Sequence, residues 1–579
     1  MNDTVIPNYA KLPQPTGYRS YIKEIGPLAL DHYALTMTNG LYQLGLEKTV
    51  TTSNVFCRSY LNNGETYKDT ESDEIKQLKI PYLIGAGLGL VAEWFDGWKW
   101  TDRELVFLAN RTVDDGKGNQ VRAFSDDFLN WLSKQHLTLD IKVIPEGQMV
   151  APNEPVMQIT GPAWQQMCIE ATTLQLISSS TNLTTVASQV RLAAQRPVRK
   201  EGVGIVEASA MDIEKASLSE MALRRALSPA AIPSARAAAI ADWDATSNDY
   251  AGMCYGIPVM GTFAHFWVML HDTQKEAFEN WAKVYPGATV FLTDTYSTIG
   301  GVKEAIEVCK RYNLRLKGLR FDSGNMGYLS VQAKDVLKEA GYADAALFDA
   351  GKTTYLASDS VTVKTAASLF ARAGVEAGKP TSAINAFGIG STVAVNRDNP
   401  LLDFVMKLSA IEEEDKWRDV LKLSETKNKT TLPGKTDVIR YIDKYGRFAG
   451  DTIIPEDMDV GEGFLSRNVY SESTHSGNIK VFPKGAQFKR LLVPWMKKGE
   501  MIQELYQKRD PVGILQAAKK EYLETISRLD PSHLVLPPDM PHRYGVGIAE
   551  ELGNKRTQLV NHINGNQSLA MQLARFGLQ

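Results

Sequence analysis

Cysteine is scarce. The 579 residues hold four, Cys57, Cys168, Cys254 and Cys309, far apart and with no C-x-x-C pair. That excludes a zinc ribbon and a vicinal redox pair, and it fits a reducing compartment better than a disulfide framework. Long apolar runs are missing as well; none approaches the roughly 20 residues a membrane helix needs. The first residues, "MNDTVIPNYAKLPQPTGYRS", are polar and proline-bearing and lack the apolar core of a secretory leader. A cytoplasmic protein is therefore expected. Excess charge of one sign is absent too. The formal net charge is −3, so neither nucleic acid nor an anionic membrane is expected as a partner. There is no internal repeat and no low-complexity block. Histidines number eight, none in an H-E-x-x-H spacing, and no metal cluster built from side chains alone is expected.

What is present is a long chain with 44% hydrophobic residues, too long for one compact core and enough for two or three domains. Residues 1–150 mix helical and strand patterns. From 151 to 400, apolar helix-like segments alternate with short β-like ones, as in "ATVFLTD", "GGVKEAIEVCKRYN", "KGLRFDSG" and "SVQAKDVLKEAGY". Strand then helix, repeated, predicts a parallel α/β sheet or barrel. Residues 401–579 are more charged. There "SETKNKTTLPGKTDVIRYIDKYGR" reads as a turn between strands, and the stretch from Pro483 to Leu529 as mostly helical.

Four segments sit where barrel strands should end: "GTFAH", "TDTYST", "RFDSGN" and "FGIGST". Sites in α/β barrels are built at the carboxyl ends of strands, so together these suggest one pocket. Each has a plainer reading. An Asp after a strand is commonly a helix cap, and "FGIGST" suits a tight turn as well as a phosphate approached by backbone N–H groups. His265, in "GTFAHFWVM", reads as lying in a buried strand or strand end. Alone it suits a hydrogen-bonded core residue. Arg224, Arg225 and Arg236 lie among alanines, where a guanidinium needs an anion; Glu214 or Glu220 could supply one internally. Arg320 is a further inward cation.

These residues spell a family. The chain resembles nicotinate phosphoribosyltransferases through "LALDHYALTMTNGLYQLG", "NEPVMQITGP", "EMALRRA", "ATSNDYAG", "YGIPVMGTFAHFWVM", "FLTDTYSTIGGVKEAI", "LRFDSGN", "FGIGST", "LDFVMKLS" and "TTLPGKTDVIR", in order from about residue 25 to 445. The resemblance implies an irregular α/β barrel and a second α/β domain built from N-terminal and C-terminal segments. It implies that nicotinate and 5-phosphoribosyl 1-diphosphate give nicotinate mononucleotide and diphosphate. ATP hydrolysis would be coupled through a phosphohistidine and Mg²⁺ would be required. Homodimers with shared sites are implied too, with Tyr33 reaching the pocket from the partner.

By motif, His265 would carry the phosphate and Asp294 would accept the other ring N–H. Tyr33, Thr262 and Arg320 would hold the pyridine carboxylate, and Arg224 would meet phosphate. Gly388, Gly390 and Ser391 would hold the 5′-phosphate, and Asp322 the ribose hydroxyls or Mg²⁺. Phe263, Phe266 and Trp267 are expected to anchor the histidine segment. Met221 stands where the family usually has an aromatic residue, and "FDAGKTTYL", with Asp349 and Gly351, matches the family poorly. Asn325 stands where the family more often has Asp. The nearest rival is a nicotinamide phosphoribosyltransferase, which places an aspartate where this chain has Ser247. A carboxylate there would repel nicotinate, so Ser247 favours the acid. Two other readings are an inactive phosphosugar-binding barrel and an aldolase-like barrel using Lys407. His271 reads as helix surface.

Overall fold

A computed structural model describes residues 26–68, 75–198, 212–227, 231–341, 344–376, 378–397, 399–424, 430–460, 486–536 and 541–575. Six short strands form a parallel sheet in the order Ala245–Thr246, Ser217–Glu220, Ala386–Ile389, Thr354–Ala357, Gly318–Phe321, Val290–Leu292. An isolated parallel bridge adds Val259 beside Thr246. The spatial order is thus the chain order read around a ring, with the last strand beside the first. Among the described residues no pairing closes the seam between Val259 and Val290–Leu292. The expected barrel is present as barrel order with one open seam.

The sequence makes such a ring because several of its strands are apolar on both faces while its crossover helices are apolar on one. Ala386–Ile389 is buried at every position, as a strand covered on both sides must be. The crossover helix Thr298–Tyr312 buries Val302, Ala305, Ile306, Val308 and Cys309, a stripe at helical spacing. It starts where the Ser297 hydroxyl accepts the Gly300 N–H at 3.3 Å. It stops at Asn313, which takes the left-handed conformation with φ 51°.

The second domain is a seven-stranded antiparallel sheet. Its order is Lys416–Asp419, Phe404–Glu413, Val50–Cys57, Met157–Pro162, Asp140–Val143, Val493–Lys497, Glu500–Met501. N-terminal and C-terminal strands therefore share one sheet. Met157–Pro162 pairs with Val50–Cys57, so the antiparallel domain runs past the expected boundary at 150. A four-stranded sheet follows, Gln487–Arg490, Thr436–Ile442, Phe448–Pro455 and Val546–Ile548. The stretch expected to be mostly helical after Pro483 begins instead with strands, and helix resumes only at Glu504–Gln507 and Pro511–Arg528. Val493–Lys497 alternates in burial along part of its length, and a short run of that kind is ambiguous between helix and strand.

The 31-residue helix Ala163–Ala193 joins the two domains. It is buried on nearly every side. Its hydroxyls close backbone groups that would otherwise be orphaned: Thr185 Oγ1 accepts the Ile84 N–H at 2.9 Å and Thr181 Oγ1 the Ala86 N–H at 3.1 Å.

Candidate active site

The carboxyl ends of the parallel strands open into a cavity of about 760 Å³. Of the residues singled out from sequence, Arg224, Ser247, Arg320, Asp322, Gly388, Gly390 and Ser391 all line it. Each lies in the last two residues of a strand or follows its strand within a few residues. Backbone geometry brings Gly390 close to its neighbour: a Cβ there would sit 2.8 Å from the Met221 carbonyl oxygen. Met221, in place of the family's aromatic residue, lines the same wall.

Arg224 and Arg225 are exposed to the cavity. Neither forms an ion pair with another described residue. The internal partners considered for them are otherwise engaged. Glu214 pairs with Arg196 at 2.7 Å. Glu220 accepts from Thr246, Ser234 and the Ala222 N–H. Arg236 has the plain role: its guanidinium holds Glu146 with two bonds, 2.9 and 2.7 Å, both side chains 2% exposed.

Arg320 is fixed in place. Nε donates to Ser358 Oγ at 2.8 Å, Nη1 to Thr262 Oγ1 at 3.1 Å and the Phe263 carbonyl at 3.3 Å, and Nη2 to Asp322 Oδ1 at 3.4 Å. Ser358 Oγ also donates to Asp322 Oδ1 at 2.6 Å. Burial pushes the Asp322 carboxyl up, but the Ser358 hydrogen bond and the Arg320 charge outweigh it, and the net shift is below the ordinary carboxylate value. Asp322 is therefore a charged acceptor held beside a charged donor.

His265 is the first residue of the short helix His265–Met269, not part of a strand. Its Nδ1 lies 3.0 Å from Thr295 Oγ1. Its Nε2 faces Asp322 Oδ2 at 3.6 Å and Asp294 Oδ1 at 4.0 Å. The hydrogen bond expected from the ring to Asp294 is thus not made; the distance is too long. The Asp294 side chain is 1% exposed and spends its other oxygen on the Asp322 N–H at 2.9 Å and the Ser323 hydroxyl at 2.6 Å. Its Oδ1 is buried without a hydrogen-bond partner among the described residues.

Phe263 anchors the segment, buried against Trp281 and Phe278 with ring centroids 4.9 and 5.8 Å away. Trp267 donates to the Ala277 carbonyl at 3.0 Å. Phe266 does not anchor it; the ring is 73% exposed.

Tyr33 does not reach the cavity within one chain. Its hydroxyl donates to Glu170 at 3.2 Å and it is half exposed. His271 lies just past the helix, half-buried, with Nδ1 2.8 Å from the Trp267 carbonyl oxygen. Lys407 lies on Phe404–Glu413 of the antiparallel sheet, away from the parallel strands, which removes the aldolase-like reading. Asn325 accepts the Tyr328 N–H at 3.1 Å, and Asp349 the Gly351 N–H at 3.0 Å; both are local turns.

The sequence reading missed Ser358, Lys364 and Arg397, which also line the cavity. "LASDSVTVK" repeats the strand–small polar–helix pattern of the four segments and was the available signal. It also missed Asn62 and Gln189, contributed by the N-terminal strands and the long helix. Nothing local marks those two.

A cation-lined cavity at the carboxyl ends of a parallel, ring-ordered sheet lies where α/β-barrel enzymes carry their sites. Residues 28–178 match the nicotinate phosphoribosyltransferase N-terminal domain and residues 216–447 the nicotinate phosphoribosyltransferase family. A Bacillus subtilis nicotinate phosphoribosyltransferase is 31% identical over 422 residues, 70% of this chain and 76% of the relative. One from Mycobacterium tuberculosis is 31% identical over 502 residues, 86% of this chain and 90% of the relative. The chain belongs to the nicotinate phosphoribosyltransferase family. The crystal structure of human nicotinic acid phosphoribosyltransferase has the same fold, with a TM-score of 0.69 at 20% identity over 91% of this chain and 99% of that one.

Proposed function

We propose that the chain joins nicotinate to 5-phosphoribosyl 1-diphosphate, releasing diphosphate, and that ATP hydrolysis is coupled to this through His265. The observation that carries the reading is the pair of guanidiniums, Arg224 and Arg225, which form no ion pair among the described residues and line one cavity with the fixed Arg320 and Asp322. Arginine forks match phosphate and carboxylate oxygens. The pyridine nitrogen attacks C1 of the ribose, the C1–O bond to diphosphate breaks, and no base is needed. The sugar becomes oxocarbenium-like, so a carboxylate near it and cations around the leaving group lower the barrier.

Ser247 offers a neutral wall to the pyridine substituent, which suits nicotinate rather than nicotinamide. Gly390 and Ser391, at the start of the short helix Ser391–Val395, would meet the 5′-phosphate with backbone N–H groups, the missing Cβ of Gly390 letting the Met221 carbonyl pack close beside it. No cluster of three or more His, Cys, Asp or Glu that could hold a metal occurs among the described residues. Asp322 and Asp359 line the cavity, and one or two carboxylates suffice for Mg²⁺ when phosphate oxygens complete its shell. These two would hold it. Bound there, it would neutralise diphosphate charge.

The two carboxylates on the Nε2 side of His265 favour the tautomer with hydrogen on Nε2, which leaves the Nδ1 lone pair facing the Thr295 hydroxyl. Nδ1 would attack the γ-phosphorus of ATP, forming the N–P bond as the bond to ADP breaks. The ring is 38% exposed on its side chain, open enough to be reached. The reading includes a homodimer with shared sites, in which a second copy would supply Tyr33, since within one chain its hydroxyl meets Glu170 and it does not line the cavity. Among the described residues no helix is long and apolar enough to cross a membrane.

The test is diphosphate release with and without ATP from wild type and His265→Ala, alongside γ-labelled ATP. The variant is expected to stay folded, form no acid-labile phosphoenzyme and lose ATP stimulation. Unchanged ATP coupling in the variant would assign the phosphate to another residue.

A further inference from the structure

Glu220 ends the strand Ser217–Glu220 and is fully buried, yet among the described residues no cation pairs with it. Its carboxylate accepts three hydrogen bonds from three separate segments. Oε2 accepts from Thr246 Oγ1 at 2.6 Å. Oε1 accepts from Ser234 Oγ and from the Ala222 N–H, both at 3.0 Å. Burial raises its carboxyl above the usual range, and these three donors partly offset that. A buried carboxylate held only by neutral donors is costly, so its position needs a reason beyond packing.

The three donors are the roots of the cavity walls. Ala222 starts the turn that carries Arg224 and Arg225, since its carbonyl accepts the Arg225 N–H at 2.7 Å and the Ala226 N–H at 2.8 Å. Ser234 lies on Ala231–Ile240, the helix that follows this turn. Thr246 precedes Ser247, and the Ser247 N–H itself donates to the Glu220 carbonyl at 2.8 Å. Thr246 Oγ1 also accepts the Asn248 N–H at 3.1 Å, and Asn248 Oδ1 caps the next helix through the Ala251 N–H. One side chain therefore ties the arginine turn to the Ser247 loop.

We propose that Glu220 is a positioning residue that sets the distance between the anion-binding arginines and the ring-facing Ser247, touching neither substrate itself. The proposal rests on the reading of the cavity as the site for phosphoribosyl diphosphate and nicotinate. It assigns the two arms separately. The Ser234 contact steadies the arginine side, and the Thr246 contact steadies the Ser247 side.

The experiment compares Ser234→Ala, Thr246→Val and Glu220→Gln with wild type. Ser234→Ala should raise KM for phosphoribosyl diphosphate about ten-fold and leave KM for nicotinate unchanged, from loss of one hydrogen bond to a charged acceptor. Thr246→Val should do the reverse. Glu220→Gln should raise both, and the Glu220→Gln/Thr246→Val double variant should be less than additive in the nicotinate effect. A structural role alone would lower the melting temperature of all three with no split between substrates, and that result overturns the proposal, as do unchanged KM values. Calorimetric binding of inorganic diphosphate alone gives the Ser234 arm without turnover. If wild type fails to turn over nicotinate, the functional reading fails, while weaker diphosphate binding by Ser234→Ala still supports the role of Glu220 and equal binding refutes it. Should Glu220→Gln not fold, the two single-contact variants decide the matter.

Discussion

Asp294→Asn separates charge from geometry at His265. Asp294 Oδ2 accepts the Asp322 N–H and the Ser323 hydroxyl, and the oxygen of an asparagine amide can keep both. What changes is the atom 4.0 Å from His265 Nε2, which becomes an uncharged NH₂. At about 4 Å and an effective permittivity of about 20, a full charge on the ring interacts with the carboxylate by about 4 kcal/mol. Roughly half a charge develops as the imidazole attacks phosphorus, which gives about 2 kcal/mol. The ring is 38% exposed, so solvent screening reduces this further, to about 1.4 kcal/mol or ten-fold in rate. Rapid-quench measurement of phosphoenzyme formation from γ-labelled ATP reads this directly, with thermal unfolding as the control. The expected result is phosphorylation slowed about ten-fold at a nearly unchanged melting temperature. Wild-type phosphorylation in a folded Asp294→Asn protein would refute the reasoning; Asp322 Oδ2, 3.6 Å from the same ring nitrogen, is present in both proteins and drops out of the difference.

Arg224→Ala should raise KM for phosphoribosyl diphosphate at least about ten-fold, the value of one charge-assisted phosphate contact, with the nicotinate KM little changed; steady-state kinetics with each substrate varied checks it. Gly388→Ala and Gly390→Ala should differ. A Cβ at Gly388 meets the Met221 sulfur at 2.5 Å, the movable end of a side chain, whereas at Gly390 it meets backbone oxygen at 2.8 Å; kinetics should show near-normal activity for the first and a large loss for the second. For Asp322, the depressed folded pKa means its stabilising contacts are complete above the unfolded carboxylate value and are lost as pH falls through the folded value. The stability gap between wild type and Asp322→Asn in urea titrations should therefore be flat from about pH 8 to 5 and close only below about pH 4; a gap that closes between pH 6 and 7 would contradict the ion pairing with Arg320.

The parallel α/β character was legible because strands such as Val290–Leu292, Gly318–Phe321 and Ala386–Ile389 are short, largely apolar runs ended by small or polar residues, and the helices carry stripes such as Val302, Ala305 and Ile306; Ser217–Glu220, with two serines and a glutamate, carries no such signal. The strand-end residues Arg320, Asp322 and Gly390 were legible for the same reason. Partners were not. Nothing near Arg236 in sequence announces Glu146, whose carboxylate meets it from the other domain. The contact between His265 and Thr295 rather than Asp294 depends on ångström-scale placement of two loops. Val493–Lys497 joins Asp140–Val143 across some 350 residues, and long-range pairing of that kind leaves no local trace. Phe266 was misassigned because an aromatic run does not say which ring faces inward. Lys364 and Arg397 were missed because a single basic residue in or just past a short helix reads in sequence as ordinary surface.

The central claim is that nicotinate is the base joined to phosphoribose. Purified wild-type protein given equal nicotinate and nicotinamide with phosphoribosyl diphosphate, Mg²⁺ and ATP tests it in one tube, with the nucleotide products separated and weighed by mass spectrometry. Ser247, a neutral residue on the cavity wall beside Arg224 and Arg320, predicts nicotinate mononucleotide as the dominant product. Dominant nicotinamide mononucleotide, or no pyridine nucleotide at all, would contradict it.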